Sequence, residues 1–189
     1  MFVFPPSVAG ILALIIWVML TGGLHLDGFA DCCDGLLASA SAERRLEIMK
    51  DPRLGAFGGS GLVLVLLLKA VTLAALRPAA GFGILLAASL ARWCILPAGL
   101  LPSARPGGMG ADFTSGFRRS SIYMGALLPL GLALALGAPG ILSLLAGLGA
   151  AALVLWLAKS RIGGVTGDVF GAVVEVVEAV VLLVFVSTL

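Results

Sequence analysis

Between Ser120 and Ala158 the sequence runs for 39 residues without a charged side chain. As one straight helix that stretch would be about 58 Å long, nearly twice the ~30 Å hydrocarbon core of a bilayer. It must fold back, and Gly137-Ala138-Pro139-Gly140 is the natural hinge. Two membrane spans follow, roughly 120–136 and 141–158. Composition agrees: 60% of the residues are hydrophobic and 12% charged, with a mean hydropathy of +1.16. Soluble domains have about 45–50% and 25%. The bilayer is the solvent for this chain.

The same reading along the chain gives an all-α fold, a polytopic transmembrane helical bundle of about six spans forming one domain over residues 1–189. The remaining spans are roughly 5–26, 56–76, 82–101 and 169–188. Met1 leads into Phe2-Val3-Phe4-Pro5-Pro6 with no basic segment, so the first apolar stretch reads as a retained span, not a cleaved signal. Cys32, Cys33 and Cys94 are odd in number and two are adjacent, which fits reduced thiols acting as small fillers.

Six spans impose a parity. The polar stretches 27–55, 102–119 and 159–168 fall on one membrane face, and the turns 77–81 and 137–140 on the other. Nine of the twelve Lys and Arg residues lie in the first group, only Arg77 in the second, and Lys69 and Arg92 within spans. The positive-inside rule makes the polar face cytoplasmic, and the membrane is expected to be the cell (inner) membrane. Net charge is only +2, and no basic face suited to nucleic acid is present.

The densest polar signal is His25-Leu26-Asp27-Gly28-Phe29-Ala30-Asp31-Cys32-Cys33-Asp34-Gly35. If span one continues as a helix, Asp27, Asp31 and Asp34 stand at i, i+4 and i+7 on one stripe. Three carboxylates converging at a membrane edge call for a cation, and hard oxygen ligands suit Mg²⁺ or Ca²⁺ better than Zn²⁺. The bland alternative is a solvated loop with Asp at turn positions. Downstream, Lys50 and Arg53 are placed to take phosphate oxygens, and Asp51 to add a metal ligand or a base. Glu43, Arg44 and Arg45 read better as a juxtamembrane helix with paired charges.

Arg161-Ile162-Gly163-Gly164-Val165-Thr166-Gly167-Asp168 offers glycines for a nest of backbone N–H groups near a helix N-terminus. Asp168 or Thr166 could equally be the N-cap of the last span. Glu175 and Glu178, deeper in that span, need a partner or a role, and Arg92 on span three is a natural counter-ion. The stretch Ala104-Arg105 to Gly110 suits either a phosphate-facing loop or a turn. Lys69 and Arg77 are expected to snorkel to the far interface, His25 to hydrogen-bond at the interface, and Gly55, Gly58, Gly59 and Gly61 to allow close packing of span two.

Thr21-Gly22-Gly23-Leu24-His25-Leu26-Asp27-Gly28, with Asp31 and Asp34-Gly35, resembles the signature stretch of the cobalamin synthase family (adenosylcobinamide-GDP ribazoletransferases). Leu46-Glu47-Ile48-Met49-Lys50-Asp51 through Arg53-Leu54-Gly55 is similar to that family's next block. Gly163-Gly164-Val165-Thr166-Gly167-Asp168, followed by Gly171-Ala172, Glu175 and Glu178, is similar to its C-terminal block. Family members usually carry a further N-terminal segment before the first span of this sequence. The resemblance implies a Mg²⁺-dependent transferase that joins adenosylcobinamide-GDP to α-ribazole or its 5′-phosphate and releases GMP. It implies Asp27, Asp31, Asp34 and Asp51 as metal ligands, with Asp34 and Asp51 catalytic. Lys50, Arg53, Arg92, Arg105, Asp168, Glu175 and Glu178 would then contact substrate. A homo-oligomer is left open.

Two rival readings exist. CDP-alcohol phosphotransferases also carry a helical aspartate cluster, but their motif has Ala-Arg where this chain has Phe29-Ala30-Asp31. An ion or metabolite transporter could use Glu175, Glu178 and Arg92 at the midplane, although no inverted repeat is visible.

Overall fold

The computed structural model describes residues 4–76, 81–107, 110, 113 and 118–188. Arg77 and most of the turn at 77–81 lie outside the described residues, as do Gly108 and Met109 of the stretch from Ala104 to Gly110. Eight α-helices are described: α1 (Pro6–Thr21), α2 (Leu24–Leu37), α3 (Ala42–Ile48), α4 (Ala56–Ala75), α5 (Phe82–Ala98), α6 (Ser120–Ala135), α7 (Gly137–Ile162) and α8 (Gly167–Ser187). Six of them are the expected apolar segments in the expected order. By length and composition α4, α7 and α8 can each cross a membrane, and α1 with α2 would count as one broken span. The apolar α5 and α6 are shorter, at 17 and 16 residues.

Span one departs from expectation. The helix stops at Thr21 because Gly22 and Gly23 both adopt positive φ, 62° and 71°, a conformation that costs side chains with a Cβ far more than glycine. Their N–H groups close the helix end on Met19 and Val18 carbonyls. The chain then turns by 92° into α2, so the aspartates lie on a separate, half-polar helix, not on a continuation of the span. A second difference is at the hinge, where the break falls at Gly137 itself (φ 67°) and Pro139 sits in the first turn of α7, where proline is tolerated. The expected loop at 159–168 contracts likewise. α7 continues to Ile162 with Lys159 and Arg161 in its last turn, opposite the helix dipole, and Gly163 (φ 81°) caps it.

Helix α8 is the axis of the bundle. It packs on α2, α4, α5 and α7, and 72% of its most apolar window is buried, against 28% for α4 and for α7. A helix apolar on nearly every face belongs inside, and Val173, Val174, Val177, Val181 and Leu182 meet Leu86, Leu90 and Cys94 of α5 there. Leucines 127, 128 and 134 of α6 and Leu64 and Leu67 of α4 remain exposed, as a lipid-facing surface requires. α1 packs on α4, where the place of a Gly10 Cβ lies only 2.6 Å from the Ala74 backbone nitrogen, the small-residue contact of membrane helices.

Candidate active site

The polar segments expected to share one membrane face are brought together at one end of the bundle. α2 crosses α8 at a pair of glycines. A Cβ on Gly28 would stand 2.9 Å from the Asp168 Cα, and one on Gly171 would stand 2.9 Å from the His25 carbonyl oxygen. This approach sets Asp27 and Asp31 beside Asp168. A single rung of parallel pairing then delivers Arg105: Ala104 N–H donates to the Val165 carbonyl and Val165 N–H to the Pro102 carbonyl, each at 2.9 Å. Gly164 is required there, since its Cβ would fall 2.2 Å from the Pro102 oxygen. Gly164 thus serves a close backbone pairing, while Gly163 caps α7. Arg105 Nη2 donates to Asp168 at 2.8 Å. Thr166, not Asp168, is the N-cap of α8, its hydroxyl accepting from the Val169 N–H at 3.3 Å.

Asp31 records the electrostatics of this arrangement. Burial first, then the charges of Asp168, Asp27 and Asp34, push its carboxyl up to about 6, with only Arg105 opposing them. The negative charge of the cluster is under-compensated by protein cations. Burial and then Arg92 push His25 below its usual value, so it is neutral near pH 7.

The expected quartet of Asp27, Asp31, Asp34 and Asp51 does not form one ligating group. Among the described residues no three His, Cys, Asp or Glu side chains are grouped closely enough to hold a metal as they stand. Asp34 is committed elsewhere: its two oxygens accept from the Gly55 and Gly58 N–H groups at 2.8 and 2.9 Å, at the start of α4. Gly55 and Gly58 are glycines because a Cβ on either would fall 2.3 Å from that carboxylate. Asp51 is clamped by Arg53, whose Nε and Nη2 donate to it at 2.9 and 2.6 Å. These hydrogen bonds hold its carboxyl at about 2, which makes it a poor proton acceptor at neutral pH. Asp27, Asp31 and Asp168 supply the hard oxygen donors that a divalent cation takes, but they too would have to draw closer than they stand to ligate one.

Three cavities surround this cluster. The largest, about 650 Å³, lies between α2, the α3–α4 connection and α4, with Asp27, Asp31, Lys50, Asp51 and Arg53 at its polar end and Leu62 and Leu66 deeper. On the other side of α2 a cavity of about 210 Å³ is lined by Leu24, His25, Asp27, Ile95, Asp168 and Phe170. A third, about 160 Å³, adjoins it at Gly167 and Asp168 and includes Ser103, Arg105 and Thr166.

Glu175 and Glu178 do not face these cavities. Lys69 Nζ donates to both, at 2.5 Å each, and Arg92 pairs with Glu178. The counter-ion role expected of Arg92 is present. Lys69, however, is buried instead of snorkelling to the interface, and it stands 5.6 Å from the Trp17 ring centre. Charge arithmetic in the sequence could have found it: two buried carboxylates with Arg92 alone leave one negative charge uncompensated. Among the described residues, the two carboxylates are thus engaged by Lys69 and Arg92. Arg45 is another buried cation whose task is local, donating to the carbonyls of Gly35, Leu36 and Ala40 at the end of α2.

Comparison with known proteins follows the same lines. The family model described as cobalamin-5-phosphate synthase matches residues 1–186. An adenosylcobinamide-GDP ribazoletransferase of Pseudomonas aeruginosa (strain PAO1) is 45% identical over 186 residues, covering 95% of this chain and 74% of that protein. Another, from Brevibacillus brevis, is 39% identical over 191 residues, covering 98% of this chain and 77% of its own. A third, from Pseudomonas paraeruginosa, is 44% identical over 185 residues. No solved structure matches.

Proposed function

Since the chain belongs to the cobalamin-5-phosphate synthase family, whose relatives are named as transferases, we propose that it joins adenosylcobinamide-GDP to α-ribazole or its 5′-phosphate. A ribose hydroxyl attacks the phosphoryl group carried by cobinamide, the new O–P bond forms, the bond to GMP breaks, and the hydroxyl proton passes to a carboxylate at the site. The observation that carries this reading is the meeting of Asp27 and Asp31 with Asp168 and Arg105 at the crossing of α2 and α8.

Asp27, Asp31 and Asp168 would hold Mg²⁺, replacing Asp34 and Asp51 in the ligand set first expected. Bound there, the ion would supply positive charge for a diphosphate and its leaving group. The protein's own part is positional. Lys50 and Arg53 flank the large cavity and attract the diphosphate. α2 forms the wall between the two substrates, and Asp34 holds that wall on α4. The polar end faces the cytoplasm of the inner membrane, following the positive-inside count.

The test is GMP release by the purified protein in detergent, supplied with adenosylcobinamide-GDP and α-ribazole 5′-phosphate, with and without Mg²⁺. Metal-dependent GMP and a completed corrinoid are expected, with Asp27→Asn losing at least about 100-fold, in line with the loss of one charge-stabilising group. Full turnover in that variant, or in a chelator, would refute the assignment.

A further inference from the structure

We propose that the two small cavities adjoining at Asp168 form one nucleotide cradle, with the base of the smaller substrate beside His25 and its 5′-phosphate beside Arg105. The inference rests on the reaction proposed above and adds where the nucleoside substrate binds and which side chains hold its two ends.

Two buried nitrogens without a hydrogen-bond partner among the described residues mark the ends of this cradle. One is His25 Nδ1, and the other is Arg105 Nε. Buried polar atoms are nearly always satisfied in folded proteins. Here each belongs to a residue lining one of two cavities that share Gly167 and Asp168. Arg105 spends Nη2 on Asp168, so the Nε edge of its guanidinium is left for an anion, and a planar fork matches phosphate oxygens. Ser103 and Thr166 line the same cavity. Thr166 also donates to Asp168 at 3.2 Å, so the Asp168 charge is shared between two donors and repels an incoming phosphate less.

The base end has the opposite character. Leu24, Ile95 and Phe170 line the cavity around His25, and the carboxylates of Asp27 and Asp168 belong to its junctions with the other two cavities. Such a slot suits a planar, largely apolar aza-aromatic ring that needs one hydrogen bond. A guanine would bring a polar edge of donors and acceptors with too few partners, and unpaired polar groups are what sites reject most strongly. Size separates the substrates further. About 210 Å³ accommodates a two-ring base but no corrin macrocycle, and the cavity of about 650 Å³ has room for the diphosphate end of the corrinoid substrate. The ribose would lie across Gly167 and Asp168. Asp27 lines both the base cavity and the large one, so the sugar hydroxyl would face the diphosphate there.

Binding to the full chain in detergent, without corrinoid, tests this directly by equilibrium dialysis of α-ribazole 5′-phosphate, unphosphorylated α-ribazole and GMP. The phosphorylated nucleoside should bind about ten-fold tighter than the unphosphorylated one, a difference Arg105→Lys should erase while changing the affinity of the latter by no more than about two-fold. Ile95→Trp, which fills the base cavity, should weaken both forms about ten-fold or more while moving the KM for adenosylcobinamide-GDP far less. Ile95→Phe serves if the tryptophan variant fails to elute and melt like the parent. GMP should not displace the nucleotide. Displacement by GMP at equal potency overturns the cradle, as does an equal loss for both nucleoside forms in Arg105→Lys. A rise confined to the KM of adenosylcobinamide-GDP in the Ile95 variants does so too. Nucleotide binding of the expected pattern without turnover would instead sink the reaction proposed above and leave the cradle standing.

Discussion

Asp31 sits in an environment at odds with its charge. Its folded-state carboxyl sits at about 6, raised from 3.8 by burial and by Asp168 and Asp27. A group raised on folding contributes stability that is fully present below its unfolded value and lost as pH rises through its folded value. Without divalent cation, the melting temperature of the parent relative to Asp31→Asn should therefore fall as pH is raised from about 4, most steeply at about 5 between the two values, and level off above about 6. Saturating Mg²⁺ should narrow the gap by neutralising the cluster. Thermal melts of both proteins across that range, in chelator and in Mg²⁺, decide it; parallel profiles would show that Asp31 is not the group under strain. The sequence displayed the stripe of Asp27, Asp31 and Asp34, because helical spacing is a local property. It could not display that Asp34 is satisfied by Gly55 and Gly58 or that Asp168 arrives from the far end of the chain. Those are tertiary facts, and no periodicity encodes them.

At the scale of elements, the site depends on how α2 is seated. Three contacts fix it: the double-glycine corner after α1, the Gly28–Asp168 approach to α8, and the Asp34 carboxylate on the first turn of α4. Asp34→Ala removes acceptors for two backbone donors and should cost about 1–2 kcal/mol, as helix-capping losses do, read as a lowered midpoint in detergent-induced unfolding. Turnover should fall only in proportion to the α2 displacement, so a complete loss in a normally stable variant would return Asp34 to the chemistry. Gly28→Val should cost turnover as well as stability. A side chain there meets backbone, not a flexible tip, and α2 must move away from α8. A shift of this kind near 1 Å is enough to cost about 100-fold in rate, while stability should drop by roughly 1–3 kcal/mol. Retained turnover in Gly28→Val would show that α2 and α8 need not touch. Helix identities were readable from apolar runs, but the corner at Gly22-Gly23 was not. A Gly-Gly pair permits a turn without demanding one, and the apolar residues on both sides suit a continuous helix equally well.

For the molecule as a whole, the decisive feature is that α8 carries two carboxylates into the apolar interior and still forms the axis of the bundle. Glu175 and Glu178 are 4% and 1% exposed, Lys69 3%, and with Arg92 they sum to zero charge. Such a group contributes little net stability relative to apolar packing, because desolvation offsets most of the attraction. Its leverage appears when it is unbalanced. Lys69→Met leaves one uncompensated negative charge among α4, α5 and α8, and breaking a buried pair in this way costs about 3–5 kcal/mol. Adding Glu175→Gln restores neutrality and should recover most of that loss, since the methionine fills the lysine's volume. Glu175→Gln alone leaves a net positive charge and should again be destabilised. Unfolding midpoints of the parent, the two single variants and the double variant form a cycle whose coupling term should favour the double variant by more than about 1 kcal/mol. Additive losses would mean the quartet acts as separate contacts. A large coupling would mean the register of α8 against α4 and α5, and with it the position of Asp168 about two turns above Glu175, is set by charge balance inside the membrane.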